Sequence, residues 1–321
     1  MKKIKQIVTI FAALALAVTA GLSFAGTKTK AAGSDEFTRT AIEIAADMGY
    51  GWNLGNTMEA TNTWTSNPKV TDFETAWGQP VTTKAMIDGI KKAGFNSIRI
   101  PVSWSNMMSS DGNYIIDASY FKRVDEIISY AFANDMYVII NDHYDGGWWE
   151  HFCGNKRDCM KHYKNMWTQV AGHYKDYSEK LIFESANEEL GDSLKKSLSK
   201  IDVNISDTAL YNLVNEINQT FVDIVRQSGG NNARRYLLIA GFNTDIDKTC
   251  SSLYEMPTDT ISNHLMISVH YYTPWTYVGL YKDEGYGYKA TWGTDSDKSE
   301  MAGNFAKMKK FTDAGYGVVI G

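Results

Sequence analysis

Cysteine is scarce in this 321-residue chain, which has three: Cys153, Cys159 and Cys250. An odd count argues against a fully paired disulfide framework. No pair has zinc-ligand spacing matched by a second pair, so no structural metal site is read. Cys153 and Cys159 are near enough in sequence to bridge in an oxidising compartment, leaving Cys250 free; a chain made without oxygen would keep all three reduced. Basic runs are also missing beyond the extreme N-terminus, and the formal net charge is −5. Both observations argue against nucleic acid as a partner. No linker rich in Pro, Gly or Ser follows residue 33, so residues 33–321 read as one domain. No G-x-G-x-x-G follows the first strand candidate, so the dinucleotide fingerprint is missing.

What the chain does have is aromatic weight. Aromatics make up 13% and charged residues 21%, with 9 Trp and 19 Tyr, a globular composition rather than a disordered one. The N-terminus reads as a secretory leader, residues 1–32. Lys2, Lys3 and Lys5 precede an apolar run from Ile7 to Leu22, and Ser23-Phe24-Ala25 or Lys30-Ala31-Ala32 offers small residues for cleavage. Retention as an uncleaved anchor is the alternative. The expectation is an exported protein that meets the membrane only through this segment during export.

After residue 50, short apolar runs alternate with amphipathic stretches. Gly51–Asn56 is a first strand candidate. Thr82 or Thr83 can cap a helix carrying Met86, Ile87, Ile90 and Ala93 on one face, which leads to a second strand, Phe95–Pro101. A helix on Phe121, Val124, Ile127, Ile128 and Ala131 feeds Met136–His143. Another on Tyr163, Met166, Trp167, Val170 and Tyr174 feeds the strand that opens at Leu181. A helix on Leu210, Leu213, Val214, Ile217, Phe221 and Ile224 precedes Tyr236–Gly241. The stretch Phe242–His264 has little helical period, and Leu265–His270 is strand six. An aromatic loop from Tyr271 to about Lys298, then a helix on Phe305, Met308 and Phe311, lead to strand seven, Tyr316–Gly321.

This alternation implies a parallel sheet with helices outside it. A doubly wound open sheet gathers its ligand groups at one switch point. Here polar residues crowd the C-terminal ends of nearly every strand: Asn53 and Asn56, Arg99, Asn141, Asp142 and His143, Asn187 and Glu188, and His270 with Tyr272. That distribution favours a (β/α)8 barrel, whose mouth collects such groups. Seven strands and six connections are countable where a closed barrel needs eight, so the expectation is a barrel cut in or just after strand seven. The central stretch is Leu181–Leu190. In a regular strand Glu184, Ala186 and Glu188 share one face, although a bulge would break that parity, and Glu188 and Glu189 could instead open a solvated loop. His143 and His270 stand alone on their strands, which disfavours a metal hydrolase. No cofactor is expected.

At these residues the chain resembles glycoside hydrolase family 5 cellulases. The carriers are Gly51-Trp52-Asn53-Leu54-Gly55-Asn56-Thr57, Ser97-Ile98-Arg99-Ile100-Pro101-Val102-Ser103-Trp104, Asn141-Asp142-His143, Phe183-Glu184 with Asn187-Glu188, and His270-Tyr271-Tyr272, in the family's order. The resemblance implies a (β/α)8 barrel cleaving β-1,4-linked glucans with retention of configuration; the complete chain is expected to be a monomer with a β-glucan polysaccharide as its partner. It implies Glu188 as general acid/base, Asn187 at the sugar's 2-hydroxyl, Arg99 near the nucleophile, and His143, His270 and Tyr272 lining the site. The family's nucleophile, a Glu ending strand seven, is expected just after Gly321. Glu188 is then expected to have a raised pKa because of that neighbour. Arg99 could equally form an interior ion pair with Glu184. Trp148, Trp149, Trp275 and Trp292 are candidates to stack on glucose rings, or to pack their own loops. A mannanase, a xyloglucanase or a non-catalytic glucan-binding protein remains open.

Overall fold

Seven apolar runs become seven strands of one parallel sheet, taken up in chain order. The computed structural model describes residues 36–63, 65–196, 203–282 and 287–321, so the leader lies outside the described residues. The strands are β1 (Gly51–Asn53), β2 (Ser97–Ile100), β3 (Tyr137–Ile140), β4 (Leu181–Glu184), β5 (Leu237–Ala240), β6 (Leu265–Val269) and β7 (Gly317–Ile320). Each hydrogen-bonds to its predecessor in parallel register: Arg99 lies beside Ile139, Ile139 beside Ile182, and Leu238 beside Met266. A doubly wound sheet would reverse at a switch point. Nothing reverses here, and the winding is that of a (β/α)8 barrel, of which the described residues supply seven strands.

The helices are α1 (Ala41–Met48), α2 (Val70–Glu74), α3 (Lys84–Lys92), α4 (Ala118–Phe132), α5 (Lys156–Tyr174), α6 (Asp207–Gln227), α7 (Ile246–Thr249), α8 (Trp275–Val278) and α9 (Asp295–Asp313). α3, α4, α5, α6 and α9 return the chain from one strand to the next. Their starts follow capping chemistry: Thr83, Asp117, Ser206 and Thr294 each accept a hydrogen bond from a backbone N–H of the first turn. α9 begins at Asp295, earlier than the expected loop end, because Thr294 and Asp297 form a capping box. The connection from β5 to β6 keeps only the four-residue α7, in line with its weak period.

Strand side chains alternate between two cores. Outward residues such as Ile98, Ile140, Leu181, Phe183, Leu237 and Ile267 pack under the helices. Inward, Tyr137, Ile139, Ile182, Tyr236, Leu238 and Met266 fill the barrel. Covering both faces explains why the strands read as continuous apolar runs. Four of the described helices, α1, α2, α7 and α8, lie outside the sequence-based expectation, and α1 is the longest of them. α1, opened by a Thr40–Glu43 capping box, sets Ala41, Ile44 and Met48 against that inner cluster and plugs the end where the strands begin.

The same end is braced by charge. Arg235, wholly buried before β5, donates to the carbonyls of Tyr174 (3.0 Å), Tyr177 (2.8 Å), Ser178 (2.9 Å) and Leu181 (2.7 Å), and to Asn232 Oδ1 (2.6 Å). It thereby ties the end of α5 to the start of β4. Arg39 reaches Asp47, Glu179 and the Tyr137 hydroxyl at 2.8, 2.8 and 2.6 Å.

Candidate active site at the strand C-terminal ends

At the opposite end the inward positions turn polar. Glu184, the last residue of β4, is buried and binds three strands at once. It accepts from Arg99 Nε at 2.6 Å, Asn141 Nδ2 at 2.9 Å and Ser268 Oγ at 2.8 Å. Arg99 also donates to Asn53 Oδ1 (3.2 Å) and Asn187 Oδ1 (3.0 Å). The interior ion pair is therefore present, with side-chain exposures of 13% and 1%. Because a guanidinium donates in a fixed plane, the pair also orients Asn187.

Glu188 stands above this layer. One oxygen, Oε1, accepts from His270 Nδ1 and from the Tyr272 hydroxyl, each at 2.6 Å. An ionised carboxylate only accepts, so the imidazole proton sits on Nδ1. The Glu188 side chain is 42% exposed, whereas that of His270 is 7%. Burial pushes Glu188 up, but the hydrogen bonds from His270 and Tyr272 outweigh it and leave its pKa below the ordinary value. The groups that touch Glu188 among the described residues are donors, which accounts for the lowering. His143 stands close by, partly buried; desolvation first, then the Arg99 charge, pulls its pKa to about 3. Its ring is neutral, and Nδ1 has no partner.

The loop after β3 runs through four consecutive residues of positive φ: Tyr144 (50°), Asp145 (50°), Gly146 (72°) and Gly147 (80°). Two of these are not glycine, a conformation that costs on the order of 1 kcal/mol or more each. Asp145 holds the turn. It accepts from Ser105 N (2.7 Å), Ser105 Oγ (2.6 Å) and Trp148 Nε1 (2.7 Å). Trp149 donates to Asp142 Oδ2 at 3.0 Å.

The tryptophans divide. Trp149 is 0% exposed and offers no face to a sugar, which corrects the stacking expectation. Trp148 stacks on His162 and Trp149, at 4.3 and 4.5 Å between centroids, so it too packs its own loop. The indole donors facing inward toward Asp142 and Asp145 are what draw both rings down. Trp275 is 59% and Tyr272 47% exposed. Together with Glu188, Asn243, Asp247 and Asn304, they line a cleft of about 410 Å³. All three cysteines are free thiols. The Cys153–Cys159 bridge is not formed; Cys159 is buried, with Sγ against the Trp148 carbonyl at 3.8 Å. Among the described residues no group of three His, Cys, Asp or Glu side chains is placed to hold a metal ion.

Residues 58–321 match the family described as cellulase, glycosyl hydrolase family 5. The chain belongs to that family. It is 38% identical to endoglucanase A of Paenibacillus barcinonensis, over 97% of this chain and 79% of that one. It is 33% identical to a xyloglucan-specific endo-β-1,4-glucanase of Bacteroides ovatus, over 79% of this chain but only 49% of the relative. The complex of a mutant family 5 lichenase from Caldicellulosiruptor sp. F32 with cellotetraose superposes with a TM-score of 0.78 at 34% identity, covering 91% of this chain and 79% of that one. A family 5 barrel is thus a glycoside hydrolase scaffold, and Arg99, His143, Asn187, Glu188, His270 and Tyr272 meet at its mouth. The sequence reading passed over Tyr144 and Ser105, and took Glu189 only as the possible opening of a solvated loop. Only Asp145-Gly146-Gly147 carried a signal, that of a tight turn.

Proposed function

We propose that this chain is the catalytic barrel of an exported endo-β-1,4-glucanase that cleaves cellulose or a related β-glucan with retention of configuration, acting as a monomer. The carrying observation is the division between the two glutamates of the β4 segment. Glu184 is locked into Arg99, whereas Glu188 faces the cleft, half exposed, between His270 and Tyr272. Only Glu188 is free to exchange a proton with a bound glycoside. In this reading Glu188 protonates the leaving oxygen and later activates water. Asn187 and His143 bind the sugar whose bond is cleaved, and Trp275 offers a platform on the leaving-group side.

Retention needs a second carboxyl group roughly 5–5.5 Å away. We place it on the residue following Gly321. A Cβ on Gly321 would lie 2.9 Å from the His270 ring, so the next residue enters the mouth beside the histidine that grips Glu188. A carboxylate there would raise the Glu188 pKa and release it on esterification, which supplies the rise that the donors alone do not give. Lys2, Lys3, Lys5 and the apolar run after them support export. Xyloglucan is the second substrate reading, favoured by the Bacteroides ovatus relative.

The test assays cellulose, lichenan, xyloglucan and mannan with a polypeptide carried past Gly321 through an eighth strand. Hydrolysis with retention, lost by about 10²–10⁴-fold in Glu188→Gln, supports the proposal. Unchanged activity in that variant, or inversion at the anomeric carbon, sinks it.

A further inference from the structure

Two consecutive residues after β5 hold a backbone conformation that costs free energy. Asn243 has φ 52° and Thr244 has φ 50°. Asparagine tolerates the left-handed region, but a β-branched residue there is an outlier. Such strain persists only where the surroundings over-determine it, and it gathers at working sites. Here the surroundings are hydrogen bonds. The Thr244 N–H donates to the Gly241 carbonyl at 3.0 Å, and the Thr244 hydroxyl donates to the Asn243 carbonyl at 2.6 Å.

The turn joins two segments that carry site residues. On one side it grips the loop after β4, just beyond Glu188. The Asn243 N–H donates to the Leu190 carbonyl at 2.7 Å. Asn243 Oδ1 accepts from the Asp192 N–H at 2.7 Å, and Asn243 Nδ2 donates to Asp192 Oδ2 at 2.9 Å. Gly191 makes room for this approach, since a Cβ there would stand 1.9 Å from Asn243 Oδ1. Asp192 is itself held by Lys195 at 2.8 Å and by Lys248 of α7. On the other side, the Thr244 carbonyl accepts from the His270 N–H at 2.7 Å, at the end of β6. His270 then donates from Nδ1 to Glu188 at 2.6 Å. The contacts close a circuit that leaves Glu188 along the chain and returns to it through His270.

We propose that Asn243 is a positioning residue: its side chain clamps the loop after β4 to the strained turn after β5, and through the Thr244 carbonyl it sets His270 at hydrogen-bonding distance from Glu188. Without the clamp the turn can relax toward ordinary φ and swing the Thr244 carbonyl away from His270. Tolerance of positive φ alone would account for asparagine here, but it requires no partner, and this amide spends both its ends on Asp192. The inference rests on the proposed function in one respect, that Glu188 is the group whose proton the glycoside receives.

The test is Asn243→Gly in this chain. Glycine adopts the same φ at no steric cost, so the change removes the side-chain clamp alone. The His270 Nδ1–H should exchange with water about tenfold faster in NMR. The Glu188 carboxyl midpoint should rise by about half a unit as its donor loosens. The Trp149 Nε1–H, donated to Asp142, is the control and should keep its shift. Asn243→Asp covers the case in which glycine unfolds the loop. It retains the acceptor for the Asp192 N–H and loses the donor to Asp192 Oδ2, so both signals should move in the same direction by less. His270 and Glu188 signals that stay in place in the folded variants overturn the proposal. A Trp149 shift as large as that of His270 also overturns it, because it marks general loosening. In the polypeptide carried past Gly321, Asn243→Gly should lower kcat about tenfold and leave KM within about twofold. Moved signals in a chain that hydrolyses no glucan support the clamp and count against the glucanase reading alone.

Discussion

The two ends of the barrel handle buried polarity in opposite ways. Where the strands begin, Arg235 satisfies four carbonyls and Asn232, and Arg39, Asp47, Glu179 and Tyr137 close on one another. Among the described residues, Glu36 Oε2 and the Tyr174 hydroxyl are open there. Where the strands end, Asp142 Oδ1, His143 Nδ1, Glu189 Oε2 and the Tyr271 hydroxyl are all buried without partners. Unpaired buried polar atoms cost free energy. Concentrating them at one end means that the closed end supplies the rigidity on which an incompletely satisfied end can be kept.

The sharpest way to break this contrast is Arg235→Met, which strands four carbonyls at once. It should cost about 3–5 kcal/mol of stability in denaturant unfolding, while the molecules that remain folded keep their affinity for cellotetraose. Trp149→Ala comes next. As a fully buried indole it should also cost about 3–5 kcal/mol, with an accompanying loss of affinity as the loop after β3 loosens. An exposed ring should behave differently: Trp275→Ala should leave the unfolding midpoint in place and weaken oligosaccharide binding by about 1 kcal/mol, read by calorimetry. If Trp149→Ala costs nothing and Trp275→Ala unfolds the chain, the assignment of the two rings is reversed.

Smaller effects sharpen the comparison through pH. His143 is held neutral, with its pKa drawn to about 3 from an unfolded value near 6.5. Between those values the unfolded chain binds the extra proton, so stability falls as pH drops through that window. His143→Gln should flatten that limb of an unfolding-midpoint profile. Smallest is the Glu188 titration itself. Carboxyl NMR should place its midpoint below the ordinary value in this chain, and Tyr272→Phe should raise it.

Sequence reasoning reached the barrel because burial on both strand faces leaves a mark that needs no tertiary information. It reached Arg99, Asn187, Glu188, His270 and Tyr272 because strand ends lie where the apolar runs stop. It failed where a side chain's fate depends on distant partners. Trp148 and Trp149 look like exposed aromatics in a loop, and only the contacts to Asp142, Asp145 and His162 show them turned inward. The positive φ of Tyr144 is invisible too, because the Asp-Gly-Gly that follows it accounts for a turn without demanding that Tyr144 share in it. α1 went unread because eight residues give a short helical period and its purpose, filling the barrel's floor, has no local signature.

That floor helix has a kinetic consequence. Gly317 of β7 lies so close to α1 that a Cβ there would stand 2.5 Å from the Ala41 carbonyl. α1 and β7, roughly 270 residues apart in sequence, are therefore immediate neighbours. Closing a loop of that length costs about 5 kcal/mol beyond a constant term, and contacts of such long range slow folding. During synthesis α1 emerges with Ala41, Ile44 and Met48 uncovered and waits for nearly the whole chain before β7 arrives beside it. Of the described elements, the one made first is among the last to find all of its neighbours.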